Sequence, residues 1–104
     1  MHSRIATYTY TGDAHDIARL AEKGMLPIFQ GQPGFKGYSL IDTGETIISI
    51  SSWDSPESAE KANIVSSEWV EANIADRVEL KKIHIGELLL STPLGVSTKV
   101  AATV

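Results

Sequence analysis

FKGYSLIDTGETIISISSWDSPE, residues 35–57, contains two strands, the turn that joins them and the first turn of a helix. Phe35 to Asp42 alternates as a half-buried strand does, Thr43-Gly44-Glu45 forms a short hairpin loop, and Thr46 to Trp53 carries β-branched residues into the next strand. Asp54-Ser55-Pro56-Glu57 then supplies a polar cap, a proline tolerated in the first helical turn and an acid near the positive helix end. Projected at about 100° per residue, Ala59, Ala62, Ser66, Trp69, Val70 and Asn73 share one face of that helix, and Glu57, Glu60, Lys61, Glu68 and Glu71 the other. It is predicted to run to about Ala75.

Upstream, Gly31, Pro33 and Gly34 punctuate a turn. Before it, Ile17, Leu20, Ala21, Gly24 and Ile28 recur at three- and four-residue spacing while Asp16, Arg19, Glu22 and Lys23 take other faces, which predicts an amphipathic helix from Asp13 that ends or kinks near Pro27. Arg4 to Tyr10, rich in Ile, Thr and Tyr, reads as the first strand, broken by Gly12 and Asp13. Downstream, Val78 to Leu90 reads as the last strand. The tail is 91–104; after Pro93 and Gly95 its part from Val96 to Val104 is small and β-branched and reads either as a fifth strand or as a disordered end.

The order strand, helix, strand, strand, helix, strand is the split βαβ, or ferredoxin-like, α+β arrangement: βαββαβ, an antiparallel four-stranded sheet with two helices on one face and right-handed crossovers. Two helices cover only one sheet face, yet apolar residues lie on both. Strict alternation sets Ile47 and Trp53 against Ile48 and Ile50, and Leu80 and Leu88 against Ile83, Ile85 and Leu89. A second copy packed sheet to sheet would cover the open face, so a homodimer is expected.

The chain's 104 residues suit one domain, 1–104, with a core over about 4–90. Hydrophobic residues at 42% and charged residues at 21% place it among globular chains. Nine Lys and Arg against 13 Asp and Glu leave a net charge of −4, which disfavours nucleic acid as a partner. Without cysteine there is no thiolate nucleophile and no Cys-based metal site. No stretch approaches the roughly 18 apolar residues of a membrane span, and neither a span nor a signal peptide is expected, which leaves a cytoplasmic protein.

Pro33-Gly34-Phe35 opening the second strand, Trp53-Asp54-Ser55-Pro56-Glu57 at the strand-to-helix corner, and Ala62, Trp69 and Asn73 on the second helix together resemble the antibiotic biosynthesis monooxygenase (ABM) family of the dimeric α+β barrel superfamily, over roughly residues 4–90. The resemblance implies a homodimer whose sheets form a barrel, with a pocket in each subunit between sheet and helices. Some members oxidise quinols or polyketide-like phenols with dioxygen and neither metal nor flavin, others bind and degrade haem, and many have no known activity. The leading expectation is therefore a cofactor-independent monooxygenase, or a weakly catalytic relative, acting on a small phenolic or quinol-like molecule. A non-catalytic ligand-binding or structural homodimer of the same fold is the alternative.

Ser66 and Asn73 are polar on an otherwise apolar helix face, so they either bond backbone or line a cavity. In the functional reading Trp69 is an aromatic wall and Asn73 or Asn63 donates to a phenolate; in the other, Trp69 is core and Asn73 satisfies its own helix end. The resemblance implies Asn63 and Trp69 as counterparts of the Asn and Trp that cofactor-free oxygenases of the family use. His84, mid-strand beside Lys82, would suit a base near neutral pH, or else is a structural or interface histidine. Tyr8 and Tyr38 either fill core or hydrogen-bond a quinone-like ligand, and Arg77 either pairs with an anionic substrate or is a solvated charge. His15 reads as a surface residue and His2 as part of a mobile end. Three dispersed histidines show no metal-ligand spacing, so no metal is expected. Haem-degrading relatives carry an axial histidine on the second helix, and residues 56–75 contain none; no cofactor is expected.

Overall fold

The computed structural model describes residues 1–98; the end of the tail, 99–104, lies outside them. Strands β1 (His2–Tyr10), β2 (Phe35–Asp42), β3 (Thr46–Trp53) and β4 (Val78–Glu87) alternate with helices α1 (Ala14–Gln30) and α2 (Pro56–Asn73) in the order βαββαβ. The four strands form one sheet in the order β2-β3-β1-β4, every neighbouring pair antiparallel.

Both helix starts follow from short polar side chains. Asp13 accepts the His15 N–H ahead of α1, and Ser55 accepts the Ser58 N–H ahead of α2, whose first turn opens on Pro56. Of the two outcomes expected at Pro27, an end or a kink, the helix does not end there: α1 passes through Pro27 and stops one turn later, where the Gly31 N–H reaches the Pro27 and Ile28 carbonyls. Burial of Phe29, with no exposed surface, secures that last turn against the cost of the proline. The buried stripe of α1 is Ala14, Ile17, Ala21, Met25 and Phe29, so Leu20 and Ile28, expected inside, are partly exposed.

One face of the sheet carries both helices. Phe29 is the hub there, with Tyr38 and Trp53 edge-on at 5.1 and 5.2 Å between ring centroids. Trp53 is fully buried, and its indole N–H donates to Ser51 Oγ at 2.9 Å. A second apolar group, Ala14, Ile17, Ile47 and Ile74, closes the far end of the sheet, and Trp69 and Leu40 touch both groups.

Strict alternation fails in β4. Tyr8 pairs with Leu80 but Thr7 with Lys82, so the strand bulges by one residue at Lys81. Leu80 consequently shares the helix-side row with Ile83 and Ile85 instead of opposing them, as the sequence had suggested. The strand also stops at Glu87, three residues short of Leu90, beyond a last bond from the Leu88 N–H to the Met1 carbonyl. Within the described part of the tail, Ser91 and Val96 form a single antiparallel bridge around a tight turn. His2 is not a loose end, because it pairs with Trp53 on one side and Glu87 on the other.

Candidate functional site

A cleft opens between the helix-side sheet face and the two helices. Its cavity volume is about 30 Å³, far below the span of about 300–1,000 Å³ usual for small-molecule sites, so its side chains must part to admit a ligand. Its apolar walls come from Ile17, Ala21 and Met25 of α1, Ile47 of β3, and Trp69 and Val70 of α2. Hydroxyls enter from Tyr8 of β1, Tyr38 of β2, Ser49 of β3 and Ser66 of α2. Alternation brings Tyr8 inward, since Arg4, Ala6 and Tyr8 are buried while Ile5 between them is exposed. The helical period does the same for Ser66 and Trp69. Trp69 packs the nitrogen-bearing edge of its indole against Gly24 of α1, where a Cβ would come within 2.6 Å of the indole nitrogen.

Burial pushes the Tyr38 phenol up to about 12, against smaller lowering effects from a hydrogen bond with Ser49 and from the charge of Arg4. Tyr38 is thus a protonated donor at any physiological pH. None of the cleft-lining residues is a His, Lys, Asp or Glu.

Of the residues singled out from the sequence, the fold gathers Tyr8, Tyr38, Ser66 and Trp69 around the cleft. Asn63 stands one turn before Ser66, and its Oδ1 accepts the Arg4 Nε–H at 2.8 Å. Asn73 is exposed and donates to the carbonyl of Trp69 at 2.8 Å, which ties it to its own helix end. Arg77 lies in the turn before β4, where its carbonyl accepts the Thr11 N–H at 2.9 Å, and it lines a separate surface depression. His84 is cross-strand partner of Ile5, so it projects from the open sheet face, away from the cleft of its own subunit. Beyond the bulge the two-residue period of β4 sets Ile83 and Ile85 on the helix side and His84 on the other. Arg4 was passed over at the sequence level, although its parity with Ala6 and Tyr8 already placed it on the inner row.

Among the described residues no cluster of His, Asp and Glu is arranged to hold a metal ion, and no helix is long and apolar enough to cross a membrane. No protein-family profile matches the chain, and no curated protein does. Solved structures do. SnoaB, a cofactor-independent oxygenase from Streptomyces nogalater, superposes with a TM-score of 0.68 at 12% identity, over 88% of this chain and 96% of SnoaB. The monooxygenase of ActVA-Orf6 from Streptomyces coelicolor, solved with nanaomycin D, gives 0.62 at 21% identity over 86% and 92%. A dimeric ferredoxin-like protein from an uncultured marine organism gives 0.62 at 10% identity over 86% and 95%. The chain has the fold of the antibiotic biosynthesis monooxygenases.

Proposed function

We propose that the protein is a cofactor-independent monooxygenase for a small phenolic or quinol-like aromatic, working as a homodimer. The lining of the cleft carries this reading: the Trp69 indole together with the hydroxyls of Tyr8, Tyr38, Ser49 and Ser66 suits a flat ring with oxygen substituents once these side chains part to admit it. For an anthrone-like phenol, loss of a proton gives an anion that passes an electron to dioxygen. The resulting radical and superoxide combine to a hydroperoxide, and loss of water leaves the quinone. One oxygen atom enters the product and the other leaves as water, all electrons coming from the substrate. The chain then has only to bind the ring and stabilise the anion. Tyr38 and Tyr8 donate to the anionic oxygen, and Trp69 holds the ring plane; preorganised donors of this kind are worth a few kcal/mol.

The homodimer rests on the open face. Ile41 and Ile48 pair across β2 and β3, Ile50 pairs with Ile5, and His84 and Lys82 edge the band on β4. Ile5 and Ile41 are 38% and 47% exposed, an apolar strip suited to a second sheet. His84 would then face the partner subunit.

Without a titratable base in the cleft, the substrate's proton must leave to solvent, and this observation favours the second reading, a ligand-binding dimer without turnover. Oxygen consumption with hydroquinones and anthrone-like phenols separates the two. Uptake above the buffer blank that falls in Tyr38→Phe and Trp69→Phe supports the oxygenase; uptake equal to the blank across the panel supports the binding protein.

A further inference from the structure

Three buried side-chain nitrogens have no hydrogen-bond partner among the described residues: Nη1 and Nη2 of Arg4 and Nδ1 of His2. They belong to successive inward-facing positions of one strand. Arg4 has no exposed surface at all. The ion pairs of the described residues, His15 with Asp13, Arg19 with Asp16 and Lys81 with Glu79, all lie on the exterior, so no carboxylate among the described residues neutralises this guanidinium. Taking a guanidinium out of water without a counter-charge is among the most expensive things a fold can do, and an apolar residue of the same size would pack there at less cost.

Its geometry is specific. Nε is engaged by Asn63 Oδ1 at 2.8 Å, which leaves the end-on fork of Nη1 and Nη2 free, the arrangement that matches the two oxygens of a carboxylate. Asn63, which holds Nε, is itself only half-buried. Arg4 does not itself line the cleft but is its neighbour on the helix-side face of the sheet. Arg4 pairs across the sheet with Ser51, two residues from the cleft-lining Ser49; its charge is felt by Tyr38, and Ser66 follows Asn63 by one helical turn.

From this we infer that Arg4 is a ligand-binding residue whose free fork takes the carboxylate of an aromatic acid, with the ring against Trp69, Asn63 holding the guanidinium and His2 beside it. The inference rests on the cleft being the ligand site, and it narrows the ligand from phenols in general to those that carry a carboxylate.

Matched probes test it: 4-hydroxybenzoate and 6-hydroxy-2-naphthoate, each beside its uncharged methyl ester, followed by tryptophan fluorescence and by the shift of Tm. Wild type should bind each acid at least about tenfold more tightly than its ester, the scale of a charge-assisted bidentate pair. Arg4→Met should abolish that preference while its ligand-free Tm equals or exceeds wild type, because an uncompensated charge has been removed; a purely structural arginine would leave the variant less stable. Arg4→Lys keeps the charge without the fork and should retain only part of the preference; it also serves if Arg4→Met does not fold. Equal binding of acid and ester by wild type, or an undiminished preference in the Arg4 variants, overturns the inference. Oxygen uptake is a separate readout: acid preference without turnover would leave this inference standing and defeat the oxygenase, and turnover of neutral phenols without acid preference would do the reverse.

Discussion

Trp69 reaches the cleft because α1 has no side chain at Gly24. A Cβ built there comes within 2.6 Å of Trp69 Nε1 and 2.7 Å of Cζ2, about 1 Å inside ordinary contact distance. Gly24→Ala therefore sets two effects against each other. Alanine in a helix interior is favoured over glycine by about 0.8–1.0 kcal/mol. Overpacking by one methyl against an aromatic edge costs about 1–3 kcal/mol. The net expectation is a loss of about 1 kcal/mol, or roughly 4–8 °C in Tm for a domain of this size. Relief comes only by swinging the indole away from α1, so its fluorescence and its ring-stacking surface change together. Urea denaturation at fixed protomer concentration, with tryptophan emission recorded on the folded protein, measures both. Trp53 is fully buried elsewhere and supplies a constant background. Combining Gly24→Ala with Trp69→Phe should recover most of the loss, a non-additivity that marks direct contact. A Gly24→Ala protein about 1 kcal/mol more stable than wild type with unchanged emission would refute the packing of Trp69 on Gly24.

Three further outcomes are expected. Tyr38 ionises near pH 10 when unfolded but is pushed up to about 12 when folded, so the unfolded chain loses this proton first; stability should be unaffected below pH 10 and decline between about 10 and 12, by about 2–3 kcal/mol in all, and thermal melts of Tyr38→Phe should lack that part of the decline. Phe29→Ala removes the ring that Phe35, Tyr38 and Trp53 pack around and should cost about 3–5 kcal/mol in chemical denaturation, with a loss below about 1 kcal/mol showing that α1 does not extend past Pro27 as a packed turn. Ile50→Asp places a charge in the middle of the open apolar band and should convert a dimer to monomers in sedimentation velocity; a wild-type protein that is already monomeric at micromolar concentration would defeat the sheet-to-sheet dimer.

Local signals sufficed wherever a residue's role is set by its chain neighbours. The hairpin around Gly44, the Ser55-Pro56 helix start and the two-residue period of β3 are of this kind, and β2 and β3 begin and end where their residues indicate. From such pieces the βαββαβ order followed, and with it the sheet topology, because few connections of six such elements are permitted. Tertiary structure decided the rest. Pro27 remains helical because Phe29 beyond it is anchored by three aromatic rings. The bulge at Lys81 returns Leu80 to the inner row, and strict alternation cannot foresee an extra residue in one strand. Asn73 is committed to its helix end and His84 to the far side of the sheet, whereas Tyr8, Tyr38, Ser66 and Trp69, drawn from three elements, share one cleft. Burial of Arg4 was settled in the same way. Its inward parity can be counted along the strand, but whether α2 seals it from water, and whether any carboxylate arrives to meet it, depends on side chains 59 positions away in sequence.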